Sequence, residues 1–242
     1  MICRLCLQNK QLIKKSHIIS NFLYSTIKDY DNSMLYVEKK NNKEKRIQTG
    51  EFEGNILCAK CDNEIIGLYE LYASQIINSK SRVSGINVNI YKNKYGVEQY
   101  AKLIGVDYTK FKLFLLSILW RASISKRDFF KETKLNLEDE ERLREMIFNK
   151  NPGNPDDFPC TISIAKNQRL LRYMIRQPLA VNNGCQFMIG GTFYFFQFKR
   201  PFPNFVTKST LQKNGEMIIL FMSDDWVRKF EQQIVDNFSR DS

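Results

Sequence analysis

The sequence predicts an α+β fold: a cysteine-bearing N-terminal module, then helices, then a small antiparallel sheet with a closing C-terminal helix. Three observations carry this reading. Two Cys-x-x-Cys pairs, Cys3/Cys6 and Cys58/Cys61, lie in the first quarter of the 242 residues. Apolar residues recur at helical spacing in the middle of the chain and alternate toward its end. Between those regions, Asn151-Pro152-Gly153-Asn154-Pro155-Asp156-Asp157 breaks any regular element. The division expected from this is a module over 1–82 and an α+β remainder over 83–242, helical across 106–150 and sheet-rich across 158–242.

The elements follow in order. Leu35 to Gln48 is rich in Lys, Asn and Glu and reads as a hairpin arm or exposed loop. Asp62 and Asn63 suit an early helical turn, and Ile65, Ile66, Leu68, Tyr69, Tyr72, Ile76 and Ile77 continue it at helical period. Val88-Asn89-Ile90-Tyr91 alternates, as a short strand or hairpin would. Tyr108 to about Ser125 is an apolar helix, and Leu137 to Asn149 is an amphipathic one whose acidic run 138–141 reads as a solvated face. Thr161–Ile164 and Met217–Phe221 read as strands. Gly190-Gly191, between Gln186–Ile189 and Phe193–Phe196, signals a hairpin. Asp224 to Phe238, with Trp226, Phe230 and Ile234, is the closing helix.

Composition narrows the class. A hydrophobic fraction of 43% with 18 Phe and 11 Tyr belongs to a globular chain rather than a disordered one. The start lacks a long apolar stretch, and the run from Phe111 to Trp120 is too short to span a bilayer, so a soluble, cytoplasmic protein without a membrane partner is expected. In a reducing compartment, cysteine pairs at ligand spacing suggest a metal more than disulfides. Cys160 and Cys185 stand apart in apolar surroundings and read as buried free thiols. The net charge is +11, of which +6 falls in residues 1–50, and it points to a polyanionic partner.

Two Cys-x-x-Cys pairs suit one tetrahedral Zn²⁺, held structurally because four thiolates leave no open position. Two reduced thiol pairs or an iron–sulfur cluster are the competing readings. One pair on a turn and the other at a helix start is the treble-clef arrangement. The only histidine, His17 in Ser16-His17-Ile18-Ile19, lies between the pairs. Alone it reads as a packed residue at a helix start, or as a partner of the zinc site.

The ordered array Cys-x-x-Cys, Ser16-His17-Ile18-Ile19, Asn55-Ile56-Leu57-Cys58-x-x-Cys61-Asp62-Asn63 resembles the zinc-containing HNH endonucleases, the ββα-metal or His-Me finger nucleases, over the first third of the chain. The resemblance implies a hairpin and helix clamped by Cys3, Cys6, Cys58 and Cys61, with His17 as general base. It implies Asn55 as the central asparagine, and Asp62 or Asn63 as the helix ligand of a catalytic Mg²⁺ or Mn²⁺. Nucleic acid, DNA before RNA, is then the expected substrate, in a bacterial defence or mobile-element setting. The chain departs from the family in carrying Ser16 where an acidic residue or second histidine is common, and Asp62-Asn63 where a histidine is common. The alternative is a catalytically inactive zinc-finger module that binds nucleic acid or protein. Lys166, Arg169, Arg172 and Arg176, or Arg121, Lys126 and Arg127, are candidate phosphate contacts or solvated faces, and Phe193–Phe196 reads as sheet core.

Overall fold

One large sheet and one buried helix organise the chain. The computed structural model describes residues 1–25, 27–28, 31–37, 44–77 and 85–239. A two-stranded antiparallel ribbon joins β1 (Ser16–His17) to β4 (Phe52–Glu53), with His17 opposite Phe52. Between these strands the chain forms α1 (Asn21–Ser25), β2 (Met34–Val37) and β3 (Glu44–Ile47). A π-helical stretch, Lys60–Ile66, runs straight into α2 (Gly67–Ile77). Then come β5 (Asn87–Lys92), β6 (Glu98–Ile104), α3 (Tyr108–Ile124), a 3-10 turn (Asp128–Thr133) and α4 (Leu137–Phe148). The last part holds β7 (Cys160–Ile164), a 3-10 turn (Leu171–Tyr173), β8 (Met174–Val181), β9 (Gly184–Ile189), β10 (Thr192–Gln197), α5 (Asn204–Ser209), β11 (Met217–Phe221) and α6 (Asp224–Ser239).

The sheet is larger than the small antiparallel one expected from the sequence, and it is mixed. Nine strands run in the order β3-β2-β8-β9-β10-β7-β11-β6-β5, with parallel pairings at β2/β8 and β7/β11. Two segments enlarge it. Leu35–Val37 docks beside Met174–Arg176, and Met174–Val181, which begins within the basic stretch of Lys166 to Arg176, is an interior strand. Pro178 cannot donate to a ladder, and the register shifts between Arg176 and Leu179, where it sits. The expected division between 82 and 83 falls outside the described residues. Strands from both sides of it share this one sheet.

Helix α3 is apolar nearly all round and is buried from Phe111 to Ser123, as a central helix must be. Asp107 caps it, accepting from the Lys110 amide at 2.9 Å. Its polar side chains find partners. Lys112 Nζ donates to the Asn154 carbonyl and, at 3.3 Å, to Tyr108 Oη, which itself donates to the Gly153 carbonyl at 3.0 Å. These bonds hold the 151–157 breaker loop against the core, and burial brings the Lys112 ammonium down to about 8.

The β9–β10 hairpin turns at Gly190 and Gly191, both at positive φ, which only glycine adopts without strain. Phe193, Tyr194 and Phe196 are core, as expected for this aromatic run. Cys160 and Cys185 are buried and both oppose Phe196 from the flanking strands. Two strand spacings, about 10 Å, separate them, too far for a disulfide. Among the described residues no helix is long and apolar enough to cross a membrane.

Helix α6 covers this layer with Val227, Phe230 and Ile234, and Trp226 meets Phe193 edge-on at 5.6 Å. From it, Glu231 Oε1 accepts the amides of Arg169, Leu170 and Leu171 at 2.9, 2.7 and 3.1 Å. Replacing Glu231 with alanine orphans these donors and is expected to cost about 1–3 kcal/mol in urea unfolding, with Glu231→Gln costing less. Equal stability of Glu231→Ala and the wild type would show that the turn is held by other contacts.

Candidate metal centre and the adjoining polar cluster

The two cysteine pairs meet because two tight segments bring them together. The N-terminal segment folds back on itself through a bridge between Ile2 and Asn9. Leu7, at φ +58°, donates its amide to the Cys3 carbonyl at 2.9 Å. Leu12 bridges to Cys58, and the Arg4 amide donates to the Ile56 carbonyl at 2.9 Å. The Sγ atoms of Cys3, Cys6, Cys58 and Cys61 consequently lie within 4.8 Å of one another, and three of the four residues are buried. The all-thiol donor set and this spacing fit one soft cation such as zinc. The Cys58 amide donates to Cys3 Sγ at 3.3 Å, a bond that favours the thiolate.

The thiols repel one another's charge. Burial raises Cys61, and its hydrogen bonds to Cys58, Cys6 and Cys3 raise it further. Burial also raises Cys6. At Cys3, burial is outweighed by amides of Cys6, Cys58 and Leu5, which bring the thiol down to about 7. A divalent cation removes the conflict by binding all four as thiolates. The centre is tied to α4: Arg144 Nη1 donates to the Leu5 carbonyl at 2.8 Å, and Arg4 pairs with Glu140 at 3.3 Å.

Beside it lies a polar cluster that the sequence shows only in part. Ser16, fully buried, donates from Oγ to Asp62 Oδ1 at 2.6 Å. His17 is half-buried, with its ring edge-on to Phe52 at 6.4 Å. The π-helical stretch is marked by the bond from the Gly67 amide to the Asp62 carbonyl, five residues back. Its wide turn returns Glu70 to the face of Asp62. Glu70 Oε1 there accepts from Ser20 Oγ and from Arg121 Nη2, each at 2.7 Å.

Arg121 joins these parts. Only 1% exposed, it donates from Nη1 to the His17 carbonyl at 2.6 Å, from Nη2 to Glu70, and from Nε to the Ser117 carbonyl at 3.2 Å. It is therefore an internal tie and no phosphate contact. Arg127 is paired with Glu51 at 2.9 Å, and Lys166 with Glu98. Arg176 is held over the Phe230 ring, 5.6 Å from its centre.

Burial pushes the His17 imidazole below its ordinary value of 6.5, and Arg121 and Lys15 push the same way. Glu70 and Asp62 pull against them without prevailing. Burial raises the Asp62 carboxyl, against the Ser16 hydrogen bond. Of the residues expected near His17, Asp62 lies closest in the network. Asn63 is exposed one residue further along the helix. Asn55 is exposed at φ +61° on the turn before Cys58, where its amide donates to the Ile13 carbonyl at 2.9 Å. Glu70 and Arg121 carry no motif. The available signals were an acid eight residues after Asp62 and an arginine near the end of a largely apolar helix.

Compared with known protein families, with curated proteins and with solved structures, the chain matches none of them.

Two outcomes test this description. Purified protein is expected to carry one zinc per chain by elemental analysis, and Cys58→Ser to lose both the metal and thermal stability. Arg121→Ala leaves the Glu70 carboxylate in a largely buried site and is expected to cost about 3–5 kcal/mol in denaturant unfolding. The double replacement Arg121→Met/Glu70→Leu is expected to cost less than Arg121→Ala alone.

Proposed function

We propose that the protein is an HNH-like endonuclease that hydrolyses nucleic-acid phosphodiester bonds. The observation that carries the reading is the chain order around His17. A strand bearing the histidine pairs with a second strand, a helix follows, and Asp62 at the start of that helix reaches the residue next to His17. Together with the four-cysteine cluster, this order supports a ββα-metal plan with a treble-clef clamp. His17 is suited to accept a proton from water as that water attacks phosphorus. Its lowered pKa keeps it neutral near pH 7, and no hydrogen bond occupies its imidazole among the described residues. Arg121 holds the His17 backbone, so the ring is carried on a fixed strand.

The hard oxygens of Asp62, with the Asn63 side chain as the alternative, fit Mg²⁺ or Mn²⁺. Such an ion, when bound, supplies charge stabilisation to the departing 3′-oxygen. The basic chain supplies long-range attraction for the polyanion, and DNA is preferred to RNA as the substrate. One observation favours the alternative, an inactive zinc module that only binds nucleic acid or protein. Ser16 stands where a second metal ligand is expected and is itself engaged by Asp62. Among the described residues the four cysteines are also the only group of three or more metal-binding side chains.

Plasmid DNA and RNA incubated with the protein and Mg²⁺ or Mn²⁺ are expected to be cut, and His17→Ala to slow cutting about 10²–10⁴-fold. Because the active base is the neutral imidazole and its pKa is lowered, the rate is expected to rise with pH and reach half its plateau below 6.5. Intact substrates under all these conditions, with salt-dependent binding retained, would establish the binding module instead.

A further inference from the structure

The nine-stranded sheet has two edges of opposite character. At one, β3 spans Glu44–Ile47, a segment with three charged residues in sequence. At the other, β5 reads Asn87-Val88-Asn89-Ile90-Tyr91-Lys92, with its only charge at the last position. All six residues are exposed, and along its outer side β5 has no backbone partner among the described residues.

Its two faces also differ. Val88 and Ile90 pair in register with Leu103 and Ala101 of β6, which are buried. The apolar row therefore runs from the core outward onto an uncovered edge, where Val88 is 57% and Ile90 50% exposed. On the other face Tyr91 is already used, stacked on Tyr100 at 4.7 Å.

We propose that β5 pairs antiparallel with β5 of a second copy of this chain, about a two-fold axis at Asn89. An axis perpendicular to a sheet keeps equivalent faces together and places one residue opposite itself. Centred on Asn89, the pairing sets Val88 against Ile90 of the second copy, and Ile90 against Val88, in one four-residue apolar cluster. Asn89 faces its own equivalent on the other side, Asn87 meets Tyr91, and Lys92 stays at the ends beside Ile86. Centring on Ile90 would set Val88 against Lys92, and centring on Val88 would set Ile90 against Ile86 and leave Lys92 beyond the ladder without a partner. The strand is thus self-complementary in one register. The backbone groups it leaves unpaired are satisfied by the second copy, and two nine-stranded sheets become one. The assembly does not depend on the nuclease reading.

The test is sedimentation velocity of the whole chain across a wide concentration range, with cysteine cross-linking to read the register. Wild-type protein is expected to shift toward twice its 28.6 kDa mass as concentration rises. Val88→Lys/Ile90→Lys places charges at exposed positions on the edge, and is expected to remain monomeric with an unchanged melting curve. Under mild oxidation Asn89→Cys is expected to form a covalent dimer, since opposed residues sit within disulfide reach, whereas Val88→Cys and wild type are not. A wild-type monomer at every concentration, or Val88→Cys linking as readily as Asn89→Cys, overturns the proposal.

Discussion

The Arg121 guanidinium is the interaction on which the arrangement of the protein turns. It is buried, and each donor it carries must be matched. The matches come from Ser117 on its own helix, from the His17 carbonyl in the ribbon, and from Glu70 on α2. Three elements that share no hydrogen-bond ladder are thereby fixed relative to one another. Exchanging a buried ion pair for hydrocarbon is often neutral in stability, so such a group is better understood as fixing geometry than as supplying energy. What it fixes is the strand bearing the only histidine.

That histidine sits between two influences of similar reach. Burial and two cations favour its neutral form, and two carboxylates favour its charged one. The balance falls on the neutral side, and the ring stays half-buried beside Phe52. The same carboxylates tie the ribbon to the helix, Asp62 through Ser16 and Glu70 through Ser20. Structural and electrostatic roles are therefore merged in one set of side chains, and altering either carboxylate changes both.

Elements whose signal is local were legible in the sequence. Helices α3, α4 and α6 follow from apolar period, the Gly190-Gly191 turn from glycine chemistry, and the cysteine cluster from ligand spacing. The sheet order was not legible. It rests on Leu35 finding Met174 and Ile219 finding Ile162, pairings with no mark in either segment. Lys166, Arg169, Arg172 and Arg176 mark a basic stretch in the sequence, and nothing in it marks the interior strand that begins at Met174. The cluster around His17 was half visible for a related reason. Asp62 sits beside a cysteine motif, whereas Glu70 reaches the same face because the seven residues Lys60–Ile66 are wound in a wider turn than sequence period implies.

The cysteine centre has a further consequence in terms of chain entropy. Its two pairs are 55 residues apart from Cys3 to Cys58, and both strands of the ribbon lie inside the loop that they enclose. Closing a loop of that length costs an unfolded chain about 4 kcal/mol, whichever cross-link closes it. A metal ion joining the four sulfurs restricts the unfolded ensemble as a disulfide would, yet it can be removed without redox chemistry. With that loop closed, the meeting of Ser16 with Asp62 costs less chain entropy, because Asp62 directly follows Cys61 at the tethered end.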